Sequence, residues 1–508
     1  MAVPSPIFMQ AAGLLWVSQD LVSRVILLPT GYWQPPSLEK LLERRPQRSL
    51  RNKRRGSEKK MVEYLDQISN FVVKTDFEDL DATVIGQAKK VVYDTLGVIA
   101  AGAQQREPIE MAKRLAPFSG HPSSTLVGRK KKIDPLNAAL INGTVGTWLE
   151  LDEGNQFARG HAGIHVVPAA LAIGEEKKVP GKTFLTALVV GYEIACRIGI
   201  ACKLRMTMHP HGSWGTVGAA VAVGKLINLN ADQMKTLINI ASSMTLATSR
   251  KTMLEGGTVR NLYAGASGYM GILANYLLKS GFTGEADGIG SVYGGVVSDS
   301  FNPEAMVEEL GSRYEITRNY FKEYACCRYN HSSLDALYQI MCQQKQGRLD
   351  PKDIESVRVE TYSLAAQLCS KTPENMLAGK FSIPFAIATT LIHGHSGVES
   401  FLPEKIGKPD IRSLASRVEV EEKKEFTQMM PARRPSRVTV RLKDGSTFSE
   451  TVYISKGDIE DPYSTDELDA KFLGLATPIY GKRKAKEILE KTRRIETFRN
   501  LRNYTEGL

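Results

Sequence analysis

The sequence of 508 residues predicts a mainly α protein: a large all-helical domain formed by both ends of the chain, with a smaller α+β domain inserted between them. Three observations predict it. Between Leu80 and Leu278 apolar residues recur at helical spacing or run almost unbroken over helical lengths. After His331 short segments alternate apolar and polar, as half-buried strands do. From Thr465 onward the pattern is helical again, with many charges on one face. The length exceeds what one simple core accommodates, and 42% hydrophobic residues is ordinary for a globular chain.

Residues 1–60 differ from the rest. Pro, Arg and Ser dominate from Pro35 to Lys60 without a sustained period, so a disordered or spurious extension is expected. Met61 then opens an amphipathic helix, and the Gly-Ser-Glu-Lys-Lys before it is what a mistranslated ribosome-binding site would give, so Met61 is the expected native start. Helices are expected over Ala82–Ala103, Leu136–Trp148, Val166–Glu175, Thr183–Ala201, Val217–Ile227 and Gln233–Thr248, with Asp134, Thr183 and Asp232 as capping residues. Gly and Ala are dense in Val217–Gly224 and Tyr263–Ala274, where close helix pairs are expected. Strands are expected from Ser356, from Arg417, and on both sides of an Asp444-Gly445 turn, with helices over Ser333–Gln344 and Pro384–Ile392 between them. The boundaries expected are 1–60 for the extension, 61–320 helical, 321–455 α+β, and 456–508 helices returning to the first domain.

Charge and cysteine content narrow the function. Of the net charge of +11, residues 1–60 hold +7, so the body is only mildly basic and no nucleic-acid partner is expected for it. The apolar run Ala11–Pro29 is broken by Gln19, Asp20 and Arg24, which makes it a poor membrane span. Six sparse cysteines without a CxxC pair point to reduced thiols and a cytoplasmic setting. No glycine-rich segment has the spacing of a nucleotide-binding loop.

Chemistry concentrates in four patches. The first is Leu149–Ala170, where Glu150, Asp152 and Glu153 stand beside Arg159, His161 and His165. His161 and His165 are four apart, but Gly160 and Gly163 interrupt them and no HExxH glutamate is present, so no metal is expected. A His beside Asp152 and Glu150 suits proton transfer instead, with His165 packing at a helix start. The second patch is Lys203 to His209 and His211, running into a Gly-rich helix start suited to anions. The third places Arg250 and Arg260 around a pair of glycines, with Arg260 inside an otherwise apolar helix. The fourth holds Lys322, Cys326, Cys327, Arg328 and His331; the vicinal cysteines lack a redox motif. Several cations, imidazoles and an acidic loop suit a substrate with more than one carboxylate.

These runs resemble the MmgE/PrpD family. They are Glu150-Leu-Asp152 with Gly160-His161 and Val166-Val-Pro-Ala; His209-Pro with Gly212, Trp214, Gly215 and Thr216; Gly256-Gly-Thr-Val-Arg260-Asn; and Lys322, Tyr324, Cys327-Arg328 with His331. The resemblance runs in order from about 61 to 500. It implies a helical domain with an inserted α+β lid, a homodimer, and a site between the domains that needs no metal or organic cofactor. It places the family's acidic pair at Glu150 and Asp152, its histidines at His161 and His209, and its two lysines at Arg260 and Lys322. A family tyrosine falls on Phe385. Arg260 for Lys, Phe385 for Tyr and the Asp152-Glu153-Gly154 run depart from the decarboxylase pattern. The expected function is therefore dehydration of a hydroxy-di- or tricarboxylate such as 2-methylcitrate. His161 and His209 would transfer protons, Glu150 and Asp152 would orient His161, and Arg260, Lys322, Lys203 and Arg328 would bind carboxylates. Decarboxylation of a cis-aconitate-like acid, epimerisation of an acidic substrate and a non-catalytic binding protein are the alternatives.

Overall fold

The computed structural model describes residues 63–344 and 347–508, so the expectations for residues 1–60 and for Met61 lie outside the described residues. The described residues belong to one compact unit, in which buried apolar side chains gather in two clusters.

The larger cluster is helical. A helix over 63–74 buries Tyr64, Leu65, Ile68 and Val72. Ala82–Gly102, Pro135–Gly146, Gly163–Lys177, Gly181–Ala201, Gly215–Leu226, Ala231–Ser243 and Leu262–Lys279 follow. The Gly181–Ala201 helix has the length and hydropathy of a membrane span, but its window is 94% buried inside the fold. Small residues allow the closest approaches. A Cβ on Gly143 would sit 2.7 Å from the Gly265 Cα, and one on Gly265 would sit 2.0 Å from the Leu140 carbonyl oxygen. The Pro135–Gly146 helix thus lies directly on Leu262–Lys279, which fixes where its C-terminal loop emerges. The apolar residues of the last helices, among them Leu468, Phe472, Ile488, Leu489 and Tyr504, join this cluster. Phe472 meets Tyr93 edge to face at 6.0 Å.

The smaller cluster lies around a four-stranded sheet of β7 (Ile354–Thr361), β8 (Val418–Glu422), β9 (Ser436–Leu442) and β10 (Thr447–Val452) in the order β10-β9-β7-β8. β7 and β8 are parallel and the other pairs antiparallel. The crossover between β7 and β8 carries the Ile383–His393 helix, and the His331–Cys342 helix precedes β7. Two-stranded pairs complete the fold: β1 (Ser124–Leu126) with β2 (Lys131–Ile133), β3 (Gly154–Asn155) with β6 (Asn319–Tyr320), and β4 (Cys202–Leu204) with β5 (Ser298–Phe301).

The chain is mainly α, as its periodicity predicts, but some ends differ. Asp134 caps its helix through Asn137. Asp232 and Thr183 do not cap theirs. Asn230 forms a capping box with Gln233, leaving Asp232 inside the first turn, and Pro180 precedes the Gly181–Ala201 helix. The helix expected to reach Thr248 stops at Ser243, because the residues after it turn to hold a histidine-bearing loop.

Candidate active site

The Pro135–Gly146 helix ends in a loop whose carbonyl oxygens are taken up by lysines from distant segments. Lys380 Nζ donates to Trp148 at 2.8 Å, Lys322 Nζ to Glu150 at 3.0 Å, and Lys471 Nζ to Leu151 at 2.9 Å. Buried carbonyls need donors, and these three fix the path of Trp148–Asp152. Glu150 holds φ +55°, and Arg159 further along holds φ +57°, a left-handed backbone that non-glycine residues adopt at a cost. The short β3–β6 pairing then brings Tyr320 and Lys322 alongside the loop.

Within it, the carboxylates are tied to cations. Arg260, 2% exposed, pairs with Glu150. Lys322 stands 3.4 Å from Glu150 Oε2 and 3.6 Å from Asp152 Oδ1. Burial drives the Asp152 carboxyl up, but the His161 ring, Lys322 and Arg260 overcome it and hold it well below the usual carboxylate range. Burial likewise favours a neutral Lys322, and Asp152 and Glu150 reverse that, raising it above an ordinary lysine. Lys380 has less compensation: burial carries it down to about 7, with Glu150 opposing and Arg260 and Lys322 assisting.

His161 is held at one nitrogen. Its Nδ1 lies 2.7 Å from the Glu153 carbonyl oxygen and 3.0 Å from Asp152 Oδ2. The shorter, better-aligned contact is to the carbonyl, with the Asp152 charge alongside. In the neutral ring Nδ1 therefore carries the hydrogen and Nε2 has the free lone pair. Glu153, at the departure from the family pattern, is a buried brace. Its Oε1 accepts from Gly163 N at 2.7 Å, and its Oε2 accepts from Tyr192 at 3.0 Å and Asn319 at 3.2 Å. Burial raises its carboxyl to about 7 against those three hydrogen bonds.

His209 comes from a loop bound to the segment that leaves the Ala231–Ser243 helix. His209 N donates to Thr248 O at 2.9 Å, and the Thr248 hydroxyl lies within 2.9 Å of the carbonyls of both His209 and His211. The His209 Nδ1 accepts from His211 N at 3.0 Å, and Arg260 Nε approaches Nε2 at 3.4 Å. A neutral ring has one acceptor nitrogen, so both contacts cannot be made at full strength; the shorter keeps Nδ1 as acceptor and puts the hydrogen on Nε2. Burial, then Arg260 and Arg250, push His209 well below the usual histidine value, so the ring is neutral.

Two further imidazoles lie here. The His211 ring stands edge-on to His161, His165 and His209 at 4.8, 5.0 and 4.9 Å, with neither nitrogen hydrogen-bonded among the described residues. His165 gives its Nδ1 hydrogen to the His161 carbonyl and packs against Trp214, the structural part expected of it. Asp152, His161 and His211 place ligand atoms within 4.8 Å of one another and could hold a metal ion. The cations around the same carboxylates oppose that, since a metal ion would share Asp152 with the Lys322 ammonium 3.6 Å from it.

A small cavity of about 40 Å³, open at its mouth, is lined by Glu150, His161, His209, His211 and Arg260. Arg159, Arg250, Arg328 and Arg434 line it too, with Tyr320, Tyr329, Cys327 and Phe381. Arg328 pairs with Asp458 and lies over the Tyr320 ring at 4.8 Å. Lys322 and Asp152 stand behind this lining, in contact with Glu150 and His161. Lys203 corrects the sequence reading. On β4 the buried Cys202 alternates with an exposed Lys203 paired to Ser300, away from the cavity lining. Phe385 is also absent from the lining and packs on Phe401, while Phe381 meets the Arg260 guanidinium at 5.2 Å. Sequence reading named Arg250 and His211 without a role and missed Arg434, Lys380 and Lys471. A lone cation, on a loop as Arg434 is or on a helix as Lys380 and Lys471 are, leaves no local signal of the partner it meets.

Comparison with known proteins now adds to the geometry. The model of the MmgE/PrpD N-terminal domain matches residues 66–304, and that of the MmgE/PrpD C-terminal domain matches residues 324–497. The chain belongs to the MmgE/PrpD family. Cis-aconitate decarboxylase of Aspergillus terreus is 25% identical over 437 residues, covering 81% of this chain and 89% of that protein. Cis-aconitate decarboxylase of Homo sapiens is 25% identical over 412 residues, 77% of this chain and 82% of that protein. Mitochondrial 2-methylcitrate dehydratase of Yarrowia lipolytica is 22% identical over 433 residues, 78% and 80% respectively. This MmgE/PrpD chain thus has lyases of two kinds among its relatives, one releasing CO₂ and one releasing water.

Proposed function

We propose that the protein is a cofactor-independent lyase that dehydrates a hydroxy-di- or tricarboxylate similar to 2-methylcitrate. The observation that supports it most is the complementary setting of two rings at one cavity. His161 presents a free Nε2, whereas His209 presents an Nε2–H. His161 takes a proton from the carbon next to a carboxylate. Asp152, held as an anion beside Nδ1, stabilises the imidazolium that forms. The His209 N–H and Arg260 hydrogen-bond the oxygens that gain charge, and the proton on His161 passes to the departing hydroxyl, so that water leaves and both rings return to their starting forms. Arg260, although paired with Glu150, is the guanidinium nearest His209 and binds the carboxylate beside the reacting carbon. Lys322 acts from behind, fixing Glu150 and Asp152.

Loss of CO₂ from a cis-aconitate-like acid is the second reading, favoured by the decarboxylases among the relatives. The proposal includes a homodimer in the cytoplasm, with the α+β segment 321–455 closing over the helical body as a lid; light scattering at twice the chain mass tests the dimer. The reaction is tested by NMR of a polycarboxylate panel in D₂O with the full-length protein. A new alkene formed with water loss supports the proposal. Release of CO₂, or deuterium uptake at carbon without elimination, replaces it.

A further inference from the structure

Five arginines line the cavity, and they are not in equivalent surroundings. Arg260 and Arg328 each have a carboxylate, Glu150 and Asp458. Arg159 is partly exposed and gives Nη2 to the Cys202 carbonyl. Arg250 and Arg434 are 8% and 5% exposed, and among the described residues neither has a carboxylate within 4.0 Å. Arg434 Nη2 donates to the Gln156 carbonyl at 3.0 Å, while its Nε is buried without a partner. Arg250 Nε reaches the neutral Gln367 side chain at 3.2 Å. Both guanidiniums meet the ring of Tyr329, at 5.7 Å for Arg250 and 5.6 Å for Arg434. A ring face relieves part of the cost of a buried cation, but two cations on one ring with no directly paired carboxylate remain costly. The missing partner is an anion that enters from solvent.

We infer that Arg250, Arg434 and the Tyr329 ring form a second carboxylate subsite, which selects substrates with a carboxylate at the end remote from the reacting carbon. The inference rests on the polycarboxylate reading above and adds where the far end of that substrate is held. Arg260 takes the carboxylate beside His209; the Arg250–Arg434 pair takes the distal one by charge-assisted hydrogen bonds from planar donors. Arg250 belongs to the part matching the N-terminal family domain and Arg434 to the part matching the C-terminal one, so the distal carboxylate also ties these two parts together.

The test is calorimetric binding of tricarballylate and of 2-methylsuccinate, which is tricarballylate without one terminal carboxylate, to the full-length protein. Arg250→Gln and Arg434→Gln should each weaken tricarballylate roughly 10- to 100-fold, the range for hydrogen bonds to a charged group. The same variants should change 2-methylsuccinate binding by less than about threefold, and Arg434→Lys should recover part of the loss. Thermal unfolding of each variant tracks folding. Equal weakening of both ligands would make the arginines structural and overturn the subsite, as would unchanged tricarballylate binding or no binding by the native protein. Inorganic phosphate binding more tightly than tricarballylate, with the same dependence on both arginines, would overturn the carboxylate assignment. If variant-dependent binding is found but no polycarboxylate is turned over, the subsite stands and the lyase reading falls. Turnover with unaltered binding in the variants gives the reverse.

Discussion

At His161 the backbone does as much as the acid beside it. The Glu153 carbonyl fixes the tautomer and Asp152 supplies the charge, so removing the imidazole removes the proton carrier and leaves Asp152 to Lys322. His161→Ala should lower kcat by ~10²–10⁴-fold with a small change in KM, the share usual for a general base. Steady-state kinetics on the substrate found by the NMR panel checks this, and near-normal turnover would exclude His161 from proton transfer. Arg260 differs in kind, because Glu150 is buried with it. Arg260→Met leaves that carboxylate with Lys322 alone and should destabilise the fold by about 3–5 kcal/mol, the cost of breaking a buried pair. Urea unfolding measures it. His211 was legible as a residue but not as a site member, because what makes it one is the placement of three other rings around it.

Among the elements, the start of the Gly163–Lys177 helix depends on Glu153, whose Oε1 takes the Gly163 amide. Burial raises this carboxyl to about 7 from an unfolded value near 4.5. The folded state therefore holds the proton more tightly than the unfolded state does. Through this group stability is highest below about pH 4.5, falls as pH rises towards 7, and carries the full penalty above 7. Glu153→Gln keeps the acceptor for Gly163 and removes the ionisation. It should gain up to about 3 kcal/mol relative to the native protein at pH 8, and no such gain at pH 4.5. Paired denaturant melts at the two pH values check the sign. The Pro135–Gly146 and Leu262–Lys279 helices depend on the missing Cβ atoms of Gly143 and Gly265. Gly265→Ala would force an atom to 2.0 Å from Leu140 O and should cost roughly 1–3 kcal/mol or more, seen as a lowered Tm. That both stretches are helices was legible from apolar, glycine-rich runs. That these two glycines face each other was not, since the run does not say which helix it meets.

Over the whole molecule, the site is a net of cations around two carboxylates. Arg260 and Lys322 touch Glu150 or Asp152, while Arg250 and Arg434 line the same cavity without a paired carboxylate among the described residues. That field suits polycarboxylates and opposes a metal ion at Asp152, His161 and His211. Prolonged dialysis against EDTA should leave turnover unchanged. Loss of activity that Zn²⁺ or Mg²⁺ restores would show that the three residues hold a metal after all.

The sequence alone determined the helical class, the return to helix after Thr465, the strands on either side of Asp444-Gly445, and the clustering of chemistry around Leu149–Ala170. Periodicity and turn chemistry act within a few residues, so they are written locally. The tertiary structure alone decided which charged groups meet. Lys322 reaches Glu150 across 172 residues, Lys380 reaches Trp148 across 232, and Arg434 reaches Gln156 across 278. Lys203, in the run expected to bind anions, faces solvent because strand alternation turns it outward. Burial of a charge is favourable only when a distant segment supplies its partner, and no local pattern records which segment that is.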